Sequence, residues 1–303
     1  MLPAPWPDLL LAHARSHPWT VAGLALALLT VTILLAQSLL LIVAGNAPAG
    51  LLYGLIGGTV GFAATALGAM PALILRGLPQ KLEDSLLGTA AGMMLAASVF
   101  SLLLPGLAAA ESLMPGKTGV VLVVAGMALG VMLMLGLDAF TPHEHDKSGP
   151  CGPGHARCSR VWLFVFAIAI HNLPESMAVG VGFAGNDLSV GLPLTIAIAL
   201  QNLPEGLAVA LAIRGAGFSP KLAVGVSAGT GLLEPLGALL GITLASGFVV
   251  AYPVGLALAA GAMIFVVSHE VIPETHRNGH QTPATIGLMA GFVLMMVLDR
   301  LLD

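Results

Sequence analysis

From residue 20 onward the chain is a succession of nine apolar runs: 20–44, 49–76, 84–108, 118–139, 161–183, 190–214, 220–247, 251–273 and 281–302. A helix needs about 20 mostly apolar residues to cross a bilayer, and backbone groups at that depth must be satisfied within the segment. Charged residues make up only 9% of the sequence, against about 25% in soluble domains, and the mean hydropathy is +0.97. The expected fold class is therefore an all-α integral membrane protein. The first run exceeds the 7–15 apolar residues or so of a signal peptide, so it is expected to stay as a helix. Cys151 and Cys158 both fall in one polar loop, 140–160, which argues against a disulfide framework.

Nine spans sort the basic residues. One side of the membrane receives Arg15, Arg76, Lys81, Lys147, Arg157, Arg160, Arg214, Lys221 and Arg277; the other receives Lys117 and Arg300. The positive-inside rule makes the first side cytoplasmic. The N-terminus is then inside and the C-terminus outside. Trp19 and Trp162 fall at cytoplasmic span ends and Tyr53 and Tyr252 at external ones, where amphipathic rings prefer to lie. Gly54, Gly61 and Gly68 recur every seventh residue in the second span, and Gly225/Gly229 and Gly237/Gly241 form GxxxG pairs in the seventh. All are expected to serve close helix packing.

Against this apolar background three span centres are polar. They hold His171, Asn172 and Glu175 in the fifth span, Gln201, Asn202 and Glu205 in the sixth, and Glu234 in the seventh. An ionised acid at mid-membrane costs roughly 2.5–3.5 kcal/mol, so three cost on the order of 8–10 kcal/mol before compensation. No Lys or Arg is expected at that depth, which leaves a metal cation as the simplest partner. His171 and Glu175 are one turn apart on one helical face, with Asn172 within about 100° of both. Gln201, Asn202 and Glu205 repeat that arc. Consecutive spans run antiparallel, so the arcs can face each other, as in transporters built from inverted repeats. Pro174, Pro204 and Pro235 each deny a donor to a carbonyl one turn back: Ile170, Leu200 and Gly231. Imidazole, carboxylate and amide ligands without thiolate suit Zn²⁺ or a related divalent ion such as Cd²⁺, Fe²⁺ or Mn²⁺, and suit an ion that must leave again.

The sequences HNLPES at 171–176 and QNLPEG at 201–206 resemble the paired metal-site helices of ZIP metal transporters, in their bacterial branch. LLEPLG at 232–237 and HEVIPETH at 269–276 resemble the two helices that follow. The resemblance covers about 49–303 and implies an eight-helix core with inverted repeats, preceded by one extra transmembrane helix at 20–45 and a cytoplasmic segment at 1–19. It implies uptake of a divalent metal, as transported substrate and not as cofactor, at a two-metal site. His171, Glu175, Gln201 and Glu205 would hold the first ion, and Asn172, Asn202, Glu205 and Glu234 the second. Met93 matches a position able to add a thioether ligand. Asn202 is an amide where some members carry Asp. The resemblance further implies a homodimer in the bacterial inner membrane and an elevator-type carrier in which spans 49–76, 161–183, 190–214 and 220–247 move.

Two secondary features stand apart from these motifs. The loop 140–160 carries His143, His145, His155, Cys151 and Cys158, which could meet metal on the cytoplasmic side. His269 and Glu270, with Glu274 and His276 beyond, lie near the cytoplasmic end of the eighth span and could form a release route. Two rivals to a carrier remain. One is a selective channel. The other is an intramembrane protease using Ser227, in GVSAG at 225–229, with His269, but that Ser lacks the strand–turn–helix setting of a nucleophile elbow. HEVIPE is not H-E-x-x-H, which argues against a zinc protease. Nothing in the sequence points to nucleic acid.

Overall fold

The computed structural model describes residues 18–140, 143–145, 149–151, 160–184, 188–247 and 250–302. Residues 1–17 of the expected N-terminal segment lie outside the described residues, as do His155 and Cys158 of the 140–160 loop. Among the described residues, nine helical stretches are long and apolar enough to cross a membrane, from Val21–Val43 to Gln281–Leu301. Each begins and ends within a few residues of the run read from the sequence. The protein is an all-α multi-pass membrane protein.

In chain order the helices are α1 (Pro18–Val43), α2 (Ala49–Ala69), α3 (Gln80–Ala97), α4 (Leu104–Leu113), α5 (Lys117–Phe140), α6 (Arg160–Ala184), α7 (Leu188–Gly215), α8 (Pro220–Thr230), α9 (Leu233–Ala245), α10 (Ala251–Val266), α11 (Ile272–His276) and α12 (Gln281–Leu302). Two spans are compound. A π-helical stretch, Ser98–Leu103, joins α3 to α4, and another, Val267–Val271, joins α10 to α11. Between α5 and α6 the backbone forms a small antiparallel ribbon, His143–His145 against Gly149–Cys151.

The seventh span breaks into α8 and α9, and here one expectation is corrected. Pro235 does not leave the Gly231 carbonyl open, because the Glu234 amide donates to it at 3.0 Å. The chain tightens into a turn at 231–232 before the proline, and Pro235 falls in the first turn of α9, where its missing N–H costs little. α6 and α7, by contrast, run as continuous helices through Pro174 and Pro204. At the other end of α8, Ser219 caps the helix by accepting from the Leu222 amide, and Gly217 makes the preceding turn at φ +91°, a conformation that suits glycine.

The helices associate in two groups. α2, α6, α7, α8 and α9 pack on one another, and α3 packs on α12 while α5 packs on α10. Close backbone approach is the recurrent device. A Cβ at Gly68 would lie 2.2 Å from the Leu203 carbonyl oxygen, and one at Gly206 2.3 Å from that of Thr65, so α2 and α7 touch main chain to main chain. Gly241 meets the Met177 carbonyl in the same way, which joins α9 to α6. The other GxxxG pair does not pack: a Cβ at Gly225 or Gly229 would meet nothing within 4 Å. α8 turns that face away from its neighbours, so the expectation for this pair is corrected.

Between the two groups lies the main apolar core. It draws Ala91, Met94 and Ala97 from α3, Ala178 from α6, Leu194 and Ala197 from α7, and Ala260 and Met263 from α10. α1 stands outside it. Most of its side chains are exposed, as suits contact with lipid, but Ser38 is buried and shares a 2.7 Å hydrogen bond with Thr243 of α9. Aromatic pairs mark the two ends of the bundle: Tyr53 against Phe183 at one, Trp162 against Phe218 at the other.

Candidate metal site

α6 and α7 lie side by side and antiparallel, with Gly182 against Gly191 near one end and Glu175 against Gln201 further along. α9 closes the third side and α2 the fourth. His171, Asn172, Glu175, Gln201, Asn202, Glu205 and Glu234 are all buried there. A cluster of buried acids is unusual in any protein, and more so where the elements around it face hydrocarbon.

Two amide–carboxylate pairs organise the site. Gln201 Nε2 donates to Glu175 Oε1 at 2.7 Å, and Asn202 Nδ2 donates to Glu234 Oε2 at 2.8 Å. The two amides are neighbours in sequence, yet each reaches a different helix, because successive residues on α7 point about 100° apart. Each amide therefore fixes one carboxylate and keeps its own oxygen for something else. Gln201 Oε1, Asn202 Oδ1, Glu175 Oε2 and Asn172 Nδ2 are buried and make no hydrogen bond among the described residues. Buried polar atoms are nearly always satisfied, so four orphans in one place mark a site shaped for a ligand. Three of the four are oxygens suited to a cation. Glu205 is near both Glu175 and Glu234, so the three acids form one cluster.

The sequence reading missed two residues that shape this site. Thr65 of α2 donates to Glu234 Oε1 at 2.6 Å. Gly61, one turn earlier on the same face, makes room for that carboxylate: a Cβ there would sit 1.8 Å from Glu234 Oε2. The Gly54/Gly61/Gly68 stripe is thus only partly a packing stripe. The signal available was a threonine in an apolar span, four residues from a glycine. Ser176, also unremarked, turns inward on its own helix and donates to the Asn172 carbonyl at 2.6 Å.

Met93 is buried in the apolar core with Ala178 and Ala197, and no polar contact joins it to the carboxylates among the described residues. Ser227 is buried and its hydroxyl donates to the Gly206 carbonyl at 2.7 Å. His269 is instead stacked on Phe265, with ring centroids 4.8 Å apart, and lies 3.9 Å from Asp138. Ser227 and His269 are each engaged elsewhere, so no nucleophile–base pair is formed.

His269 and Glu270 sit on the π-helical stretch of the eighth span, a distortion frequent at functional sites. Candidate ligand atoms of His269, Glu270 and Asp138 all lie within 4.8 Å of one another. Asp138, at the end of α5, is a third residue the sequence reading did not join to this cluster. For His143 and His145 only the ribbon backbone is described. A cavity of about 490 Å³ opens at the end of the bundle carrying Arg76, lined among others by Glu83, Asp84, Ala208, Glu274 and Asn278. Ala208 is one turn along α7 from Glu205, so the cavity approaches the buried site from that end. At its rim Asp84 is buried and accepts from Gln80 at 3.1 Å, Asn278 at 3.1 Å and His280 at 2.8 Å.

Carboxylates, amides and an imidazole gathered inside a multi-pass helical bundle are the arrangement expected of a membrane transporter of polar cargo. Its relatives agree. The chain is 58% identical over 292 residues to the zinc transporter ZIPB of Bordetella bronchiseptica, covering 96% of this chain and 94% of that protein. It is 41% identical over 252 residues to the zinc transporter GufA of Myxococcus xanthus, covering 83% and 98%. It is 33% identical over 246 residues to the zinc transporter ZupT of Corynebacterium glutamicum, covering 77% and 93%. The family model for the ZIP zinc transporter matches residues 141–299. The chain belongs to the ZIP zinc transporter family, whose named members are transporters and not enzymes.

Proposed function

We propose that the protein carries zinc, and with it related ions such as Cd²⁺, Fe²⁺ or Mn²⁺, across the bacterial inner membrane into the cytoplasm by alternating access. The reading rests on one observation: Gln201 and Asn202 hold Glu175 and Glu234 while four buried polar atoms around them lack partners. His171, Glu175, Gln201 and Glu205 would form the first ion's shell. Asn172, Asn202, Glu205 and Glu234 form the adjoining half, and Met93 is held in reserve as a thioether. Names of the relatives favour zinc.

The remaining parts of the proposal follow from charge and placement. The excess of Lys and Arg on one side supports a cytoplasmic N-terminus and a cytoplasmic Arg76 end. The cavity at that end would then be the way out, and Asp138, His269 and Glu270, with His143 and His145, would receive the departing ion. A homodimer built on the α3–α12 group, with the site-bearing group moving as an elevator, is the assembly that fits a carrier. A selective channel is the rival.

Zinc flux into proteoliposomes tests both readings. Saturable uptake with strong temperature dependence, abolished by His171→Ala and by Glu205→Ala at equal protein levels, supports a carrier using this site. Undiminished flux through both variants would remove the site assignment, and linear, non-saturating flux would favour the channel.

A further inference from the structure

Glu234 is held by more donors than its neighbours. One of its oxygens accepts from Thr65 at 2.6 Å and the other from Asn202 at 2.8 Å. The carboxylate is confined between Gly61, where any side chain would collide with it, and Gly231, where a Cβ would lie 3.3 Å from Oε1. Glu175, by comparison, keeps Oε2 uncommitted. The donor on Asn202 is decisive. A carboxylate at 202 could not donate, and would repel Glu234 unless a cation lay between them.

Charge points the same way. The buried acids at this depth are Glu175, Glu205 and Glu234. Fully ionised they carry three negative charges: one divalent cation leaves one negative charge, which the donors Thr65, Gln201 and Asn202 help to offset, and two leave one positive charge with no further acid at this depth among the described residues to balance it. An aspartate at 202 would bring the acids to four and match two cations.

Resting on the site reading above, we propose that Thr65 and Asn202 hold Glu234 as a hydrogen-bonded strut instead of a second ion's ligand, so that the mid-membrane site takes one divalent cation per chain. Asn202 then acts as an adaptor, its Nδ2 bracing Glu234 and its Oδ1 turned to the single ion beside Glu205. Thr65 is a positioning residue, acting on the ion through Glu234.

Zinc per chain, measured by elemental analysis after equilibrium dialysis of the full-length purified protein, tests this by difference. Other zinc-binding positions cancel when His171→Ala/Glu175→Gln/Glu205→Gln/Glu234→Gln, which strips ligands from both halves of the site, is subtracted from the otherwise identical protein. The expected difference is one ion for the natural sequence and two for Asn202→Asp. A difference of two in the natural sequence, or of one in Asn202→Asp, overturns the proposal. A difference of zero with flux intact would remove the site reading itself, and the one-ion proposal with it. Thr65→Val should raise the KM for zinc flux several-fold with a difference still of one ion, and Thr65→Ser should restore the KM. An unchanged KM in Thr65→Val would overturn the part given to Thr65.

Discussion

Gln201 Nε2 and Glu175 Oε1 stand 2.7 Å apart across two antiparallel helices, and the bond fixes both residues while leaving Gln201 Oε1 and Glu175 Oε2 without partners. Gln201→Leu keeps the bulk and removes the donor. A buried acceptor left unsatisfied costs about 1–3 kcal/mol, and loss of a group that orients a metal ligand typically weakens affinity by about 10–100-fold. Zinc affinity by titration calorimetry should fall within that range, with a lowered thermal midpoint. An unchanged affinity would show that this pair does not orient the ion.

Gly61→Ala and Gly229→Ala are the same chemical change in two apolar helices, with opposite expected outcomes. At Gly61 a methyl group would collide with the Glu234 carboxylate, while at Gly229 it would meet nothing within 4 Å. Gly61→Ala should lose most zinc flux and cost about 1–3 kcal/mol of stability, as overpacking does. Gly229→Ala should transport like the natural sequence. Equal flux from both would mean that Glu234 can relocate without consequence.

Metal binding requires deprotonated carboxylates, so protons and zinc compete for Glu175 and Glu205. Zinc affinity should therefore weaken as pH falls. A titration series across pH reads this directly, and an affinity independent of pH would place the ion on other ligands.

Asp138→Asn should leave zinc affinity at the buried site unchanged while lowering the maximal rate of uptake several-fold. The reason is its place beside His269 and Glu270, away from Glu175 and Glu205. Single-turnover flux separates loading from release. Slower loading in Asp138→Asn would contradict a release role.

The Ser38–Thr243 hydrogen bond is a polar contact between α1 and the site-bearing α9. A double-mutant cycle with Ser38→Ala and Thr243→Ala should give a coupling of about 0.5–1.5 kcal/mol in detergent unfolding. No coupling would mean that α1 docks by its apolar contacts alone.

Much of this molecule was legible before its structure. Helix number and limits followed from run length, because the bilayer leaves a chain little choice. The seven polar residues of the site were visible because imidazole, carboxamide and carboxylate side chains stand out at the centres of otherwise apolar spans. What escaped was three-dimensional. Thr65 and Asp138 looked like isolated polar residues, since their partners are distant in sequence. Gly225 and Gly229 looked like packing glycines, since a GxxxG spacing cannot say which way its face turns. Pro235 looked like a kink, since its position in the first turn of α9 depends on a break two residues earlier. In each case the local pattern was read correctly and its neighbour was unknown.

At two points where α2 meets α7, no side chain intervenes: Gly68 lies on the backbone of Leu203, and Gly206 on that of Thr65. Two rods in direct main-chain contact have no rotamers to exchange, so this joint cannot loosen by degrees. Across the main core the facing residues include the short stubs Ala91, Ala97, Ala197 and Ala260 beside Met94 and Met263, flexible side chains that can change rotamer as they slide. The molecule thus joins a welded seam to a smooth one, and a displacement that keeps Thr65, Glu205 and Glu234 in register has only the smooth one along which to slip.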